Sequence, residues 1–200
     1  KHRTIGFWLR RLKDNGDRST VTVSGQSEQL AELQAWGASF ETKQPQDVLT
    51  AAIERYGNIV LACSFGAEDV VLVDMVHRIN PSVPLFYLDT DFLLSETYAT
   101  RDRIIERYQL KPAHVIQVKS LLTPQQQAES HGDALWASHP DQCCQLRKVE
   151  PLTRVLQGYD AWITGIRRDQ APSRANAGLI EWDEKFQLIK VNPLARWTWA

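Results

Sequence analysis

Two of the chain's three cysteines, Cys143 and Cys144, stand side by side in "DQCCQLRK". Neighbouring Cα atoms lie ~3.8 Å apart, short of the ~4.4–6.8 Å that an ordinary disulfide spans. The two thiols therefore fit each other badly as a bridge. Cys63 sits in the apolar run "NIVLACS", where a small buried hydrophobe is the ordinary expectation. Three readings of the double cysteine stay open: coincidence, a reactive thiol, or two ligands of one metal centre. Adjacent thiolates reach one multi-iron cluster more easily than two corners of a zinc tetrahedron, but they supply only half of the thiolates a cubane takes. Lys148 follows Cys144 by four residues, a spacing that returns to the same helix face.

A second constellation is "TGIRRDQAPSR". Arg167, Arg168 and Arg174 fall within eight residues and could grip phosphate or sulfate through forked hydrogen bonds. The plainer alternative pairs two of them with Asp169 and Asp183 or leaves them solvated. A third is "SFGAED". Its turn at residues 64–66 opens onto a helix start, which favours negative charge, and Gly66 lets the backbone approach a ligand or simply supplies φ > 0. Glu68 and Asp69 suit the helix dipole and would crowd a triphosphate. No Walker A lysine pattern and no G-x-G-x-x-G occurs. In "LDTD", Asp89 and Asp91 could ligate a metal, hold a ribose, or cap a strand end. The histidines are scattered. His139 could join a metal site, although a lone surface histidine is the commoner case. Trp197 and Trp199 read as core or interface.

The elements that must position these groups alternate. Residues 1–26 read as a polar arm or short hairpin. Helices are predicted over 27–40 and 45–57, the second opened by Pro45 and closed by Gly57. Strand 58–64 precedes helix 67–79, strand 84–90 precedes a helix over 95–108 capped by Ser95, and strand 114–120 follows. Residues 123–138 form a broken helical stretch. A helix from Cys143 should end, kink or restart at Pro151. Strand 159–168, a loop over 169–178 and strand 185–194 complete the pattern. Strands alternating with helices imply a parallel α/β sheet flanked by helices, whose ligand edge lies beyond the carboxyl ends of the strands. The stretches just after the strands, 64–69, 88–94, 118–122 and 164–174, are therefore where a ligand is expected.

Two hundred residues, 43% of them hydrophobic, can bury one sizeable core. A formal net charge of -1 argues against nucleic acid or a membrane as a partner held by bulk charge. No apolar run approaches the ~20 residues of a span, and the cysteine usage suits a reducing cytoplasm. The chain opens without Met and stops at "ARWTWA", so both ends read as cut.

Taken in order, "SFGAEDVVL", "LDTDFLLSETY", "DQCCQLRKVEPL" and "TGIRRDQAPSR" resemble the assimilatory adenylyl-sulfate reductase family, from about Ser27 onward. That resemblance implies an adenine-nucleotide α-hydrolase-like sheet related to the PP-loop ATP pyrophosphatases. It implies thioredoxin-dependent reduction of adenosine 5′-phosphosulfate to sulfite and AMP. Ser64, Phe65, Gly66, Ala67 and Glu68 fall on the modified PP-loop, Leu88 and Asp89 on the adenosine turn, and Gly165, Arg167, Arg168 and Arg174 on the strand end and arginine loop. Cys143 and Cys144 become two ligands of a [4Fe–4S] cluster, the mark of the branch that takes the nucleotide without a 3′-phosphate. Lys148 becomes the cation between cluster and sulfate, and with Arg168 and Arg174 forms the catalytic set. The family's later Cys-x-x-Cys pair and its tail cysteine do not occur in these residues, so a further C-terminal segment is expected. Dimers or tetramers are common in the family. Two rivals are a 3′-phosphoadenylyl-sulfate reductase and a PP-loop ATP-dependent ligase or nucleotidyl transferase. A metal- or redox-binding module without catalysis is a third.

Overall fold

The computed structural model describes residues 23–199. Six strands form one sheet in the order β3-β2-β1-β4-β6-β5. They are β1 (Ile59–Ala62), β2 (Leu85–Asp89), β3 (Val115–Lys119), β4 (Ala161–Ile163), β5 (Ile180–Asp183) and β6 (Leu188–Val191). All neighbours pair parallel except β5, which runs antiparallel to β6 at the edge.

The continuous apolar character of "IVLA", "LFYL" and "AWI" has its reason in this topology: both sheet faces are covered. Ile59, Leu61, Cys63, Ile163, Ile189 and Val191 point into the larger core. Val60, Phe86, Val118, Trp162 and Leu188 alternate to the opposite face and meet Leu156 there. Leu49, Leu61 and Leu72 are at most 2% exposed, and burial of each is worth about 1.5–3 kcal/mol. The larger core is closed by α1 (Val23–Ala38), α2 (Pro45–Arg55), α3 (Ala67–Ile79) and α4 (Ser95–Tyr108). In α1, a Cβ on Gly37 would collide with the carbonyl oxygen of Ile180, so glycine lets this helix lie directly on β5.

Shorter helices follow β3: α5 (Pro124–His131), α6 (Leu135–Ser138) and α7 (Pro140–Cys144). A π-turn over Gln145–Val149 then runs without a break into α8 (Glu150–Leu156), with Glu150 N–H donating to Gln145 O. Pro151 supplies the cause. It has no N–H and its ring crowds the carbonyl four residues back, so the helix widens by one residue just before it.

Several expectations change. The expected arm over residues 1–26 falls on residues 1–22, which lie outside the described residues, and on residues 23–26, which belong to α1. The N-cap of α4 is Leu94, not Ser95, whose hydroxyl turns to Glu96. The last predicted strand shortens to β6, and β5 was not predicted. β4 ends at Ile163, which releases residues 164–167 to the ligand edge. Trp197 and Trp199 are exposed rather than core.

Candidate active site

From β1 the chain moves to one side through β2 and β3, then returns to the other side as β4. The resulting switch point between β1 and β4 is where an open α/β sheet takes its ligand. A cleft of about 510 Å³ lies there, lined by Ser64, Phe65, Glu68, Asp69, Leu88, Thr90, Leu93, Lys148, Leu152, Trp162, Thr164, Gly165, Gln170 and Arg174 among others. Ser64, Phe65, Glu68, Leu88, Gly165, Lys148 and Arg174, expected from sequence, thus share one cavity. Its floor is apolar, with Phe86, Leu88, Leu152 and Trp162, and its rim carries both charges. That combination suits a flat ring with an anionic tail.

The turn after β1 is built around Asp69. Its Oδ2 accepts from the Ser64 N–H at 2.5 Å and from the Ser64 hydroxyl at 2.6 Å. Asp69 is 9% exposed, and burial pushes its carboxyl above the usual range against the two Ser64 bonds and with the help of the Glu68 charge. The left-handed residue of this turn is Phe65 (φ 62°), while Gly66 has an ordinary φ of -71°. The expectation that Gly66 is there for positive φ is therefore corrected. A Cβ on Gly66 would meet only Ser64 Oγ at 3.4 Å and Glu68 Oε2 at 3.9 Å. Gly165 is the demanding position. A Cβ there would collide with Asp69 Oδ1 and lie 3.0 Å from Glu68 Cβ, so the strand end can pass over the first turn of α3 only as glycine.

Not every expected residue reaches the cleft. Gly66, Ala67, Asp89, Arg167 and Arg168 are not among its lining. The Asp89 carboxylate is taken up internally, by Tyr98 OH at 2.7 Å, Gln117 Nε2 at 2.5 Å, the Asp91 N–H at 3.0 Å and Lys119 Nζ at 3.5 Å. Burial alone would raise its pKa, and these partners together lower it. Arg168 forks onto Glu41 at 2.5 and 3.0 Å and gives Nε to the Ala177 carbonyl at 2.9 Å. It thereby pins the arginine loop to the segment before α2, and its partner is Glu41 rather than Asp183. Arg167 is buried beside Glu68 (3.3 Å) and Asp169 (3.4 Å) and lies 4.7 Å from the Trp199 ring centroid. Arg174 is exposed and bonds Gln170, which in turn donates to Glu68 at 3.0 Å.

Sequence reasoning passed over Thr164, Gln170, Trp162 and the ligand-edge use of Asp69. Only the last had a local signal, an acid in the first helical turn, and that signal reads equally as dipole compensation.

Cys143 is buried and Cys144 exposed. Gln127 Nε2 lies 3.9 Å from Cys143 Sγ and Gln127 Oε1 accepts from Arg147 Nε at 2.6 Å. Arg147 Nη2 is a buried donor with no partner among the described residues. Among those residues no group of three or more His, Cys, Asp or Glu could hold a metal ion by itself, so His139 does not complete one. With one thiol buried and its neighbour exposed, the described residues offer at most two of the four thiolates that a cubane iron–sulfur group takes. Cys63 is buried, and its burial, with the Asp69 charge, pushes its thiol far up.

Residues 58–200 match a family model described as the phosphoadenosine phosphosulfate reductase domain. The adenosine 5′-phosphosulfate reductase of Halalkalibacterium halodurans is 46% identical over 164 residues, which cover 80% of this chain and 69% of that protein. Adenosine 5′-phosphosulfate reductase 1 of Bacillus subtilis is 48% identical over 153 residues, 76% of this chain and 65% of that protein. The chain thus spans about two thirds of the length of these relatives. A crystal structure of phosphoadenylyl-sulfate reductase from Candida auris, a phosphate complex, superposes with a TM-score of 0.73 at 28% identity, covering 90% of this chain and 83% of that one. An NH3-dependent NAD synthetase from Campylobacter jejuni shares the fold alone, at TM-score 0.53 and 9% identity over 78% of this chain and 66% of that one.

Proposed function

This chain belongs to the phosphoadenosine phosphosulfate reductase family, and on that premise we propose that it is the nucleotide-binding part of an enzyme that reduces adenosine 5′-phosphosulfate to sulfite and AMP with thioredoxin, in cytoplasmic sulfate assimilation. The observation that carries the reading is the joint placement of Lys148 and Arg174 with the Ser64 turn in one cleft at the β1/β4 switch point. The relatives named for the substrate without a 3′-phosphate are 46–48% identical, which favours that substrate over its 3′-phosphorylated relative. A PP-loop ligase is disfavoured: "SFGAED" lacks the glycine pair of an ATP-binding loop, and Glu68 and Asp69 add negative charge to the cleft lining.

The base rests on the apolar floor and the phosphosulfate lies toward Lys148 and Arg174. A cysteine thiolate attacks the sulfate sulfur, the bond from sulfur to the bridging oxygen breaks, and AMP leaves with the electron pair. The cysteine is left as an S-sulfonate. A thioredoxin thiolate then attacks the cysteine sulfur, sulfite leaves, and thioredoxin's second thiol resolves the mixed disulfide. Buried Cys63 is unsuited to the attack, which is assigned to a thiolate outside this chain's three cysteines. The two cations stabilise charge on the transferring group. Cys143 and Cys144 would hold two corners of a [4Fe–4S] cluster, which when bound supplies local charge and rigidity rather than electrons.

Substrate labelled at sulfur tests the reading. Without thioredoxin the label should stay on the full-length protein, and reduced thioredoxin should release it as sulfite. Label that never transfers to protein, or leaves only as sulfate, overturns the reading.

A further inference from the structure

Arg147 precedes the cleft-lining Lys148, yet it is 2% exposed and cannot touch a ligand in the cleft. Its Nη1 lies 3.0 Å from Asp91 Oδ2, across 56 positions of sequence. Asp91 stands between Thr90 and Leu93, which also line the cleft, in the turn that follows β2. Each member of this ion pair is thus within two residues of a side chain in the cavity. Asp91 adopts φ 62°, a conformation that costs a non-glycine residue free energy and persists only where surrounding contacts hold it. The holding contacts are visible: its N–H donates to Asp89, Lys119 Nζ lies 2.5 Å from Oδ1, and Arg147 takes Oδ2. On the helix side Arg147 Nε donates to Gln127, which itself reaches Cys143.

We infer that Arg147 is a positioning residue. Through Asp91 and Gln127 it sets the π-turn that presents Lys148 against the turn that presents Thr90, and so fixes the cleft width at the sulfuryl end of the substrate. The inference rests on the reductase reading. Breaking the strut leaves the apolar floor intact, so AMP should still bind while the transferring group is misaligned.

The test uses the full-length protein with Arg147→Met, Arg147→Lys, Asp91→Asn and the double variant Asp91→Asn/Arg147→Met. Asparagine tolerates φ near 60°, so Asp91→Asn removes the charge without disturbing the backbone. We expect Arg147→Met and Asp91→Asn each to lower kcat by about tenfold to a hundredfold, as a misplacement remote from the chemistry can. The AMP inhibition constant should stay within about threefold, because binding to the floor is shared by ground and transition states. The double variant should be no worse than the worse single, and Arg147→Lys, which keeps the charge but not the fork, should recover part of the loss. Unchanged kcat in Asp91→Asn, multiplicative losses in the double variant, or AMP binding lost in step with kcat each overturn the strut. If Arg147→Met fails to fold, Asp91→Asn alone decides by the same criteria. Wild-type protein that releases no sulfite sinks the reductase reading and the strut with it, whereas an active wild type with unaffected variants sinks the strut alone.

Discussion

Ser64 gives both its backbone N–H and its hydroxyl proton to one oxygen of Asp69. A hydroxyl has a single proton, so in the cleft Ser64 can accept but not donate while this arrangement lasts. The other Asp69 oxygen lies where a side chain at position 165 would begin. Gly165→Ala should therefore displace Asp69 and the turn it holds. We expect about 1–3 kcal/mol of destabilisation, typical of a methyl forced into packed surroundings, together with a lower kcat/KM. Thermal unfolding and sulfite-release kinetics check both.

Asp69 and Asp89 should move stability with pH in opposite senses. The folded pKa of Asp89 lies below its unfolded value, so its contribution is present above the unfolded pKa, near 3.9, and is lost as pH falls through the folded pKa. That of Asp69 lies above its unfolded value, so its contribution is present below the unfolded pKa and is lost as pH rises through the folded pKa. Urea midpoints measured from acid to neutral pH should show Asp89→Asn flattening the acid limb. Asp69→Asn should remove part of the decline on the rising-pH side.

Lys148→Ala should lower kcat on the order of a hundredfold, the scale for losing one preorganised donor at a developing charge, with a smaller change in AMP affinity. Steady-state kinetics with AMP as competitive inhibitor separates the two. A fall in affinity without a fall in kcat would make Lys148 a binding residue only.

Cys63→Ala should leave turnover within about threefold, since truncating a small buried thiol is felt in packing rather than chemistry. Cys144→Ser should abolish the broad visible absorbance expected of the anaerobically purified full-length protein. A colourless, zinc-containing wild type would contradict the cluster assignment.

Arg168→Met and Glu41→Gln should have similar effects that do not add, because the two form one unit. Both should loosen the loop that carries Gln170 and Arg174. A double-mutant cycle on kcat/KM measures the coupling. Additive losses would mean that Arg168 meets the substrate directly.

The parallel sheet was legible because β1, β2 and β4 are buried on both faces, which leaves apolar runs in "IVLA", "LFYL" and "AWI". β5 was not, because "IEWD" at an edge buries only Ile180 fully and follows a long polar loop. Leu88 and Gly165, expected from the family resemblance, both line the cleft. Its supports were not legible. The partner of Arg168 is 127 positions away and that of Arg147 is 56. Nothing local distinguishes Arg147, buried, from Lys148, exposed, because consecutive residues of a helical turn point to different sides and packing alone decides which faces in. The π-turn is a second such case. Pro151 announced a disturbance, but whether the helix would stop, bend or widen depended on the neighbours.

The most direct measurement is product analysis with the full-length protein, reduced thioredoxin and each candidate nucleotide in parallel. The account predicts sulfite and AMP in equal amounts from adenosine 5′-phosphosulfate, with the 3′-phosphorylated nucleotide turned over less efficiently. Pyrophosphate from ATP with no sulfite from either phosphosulfate would contradict it.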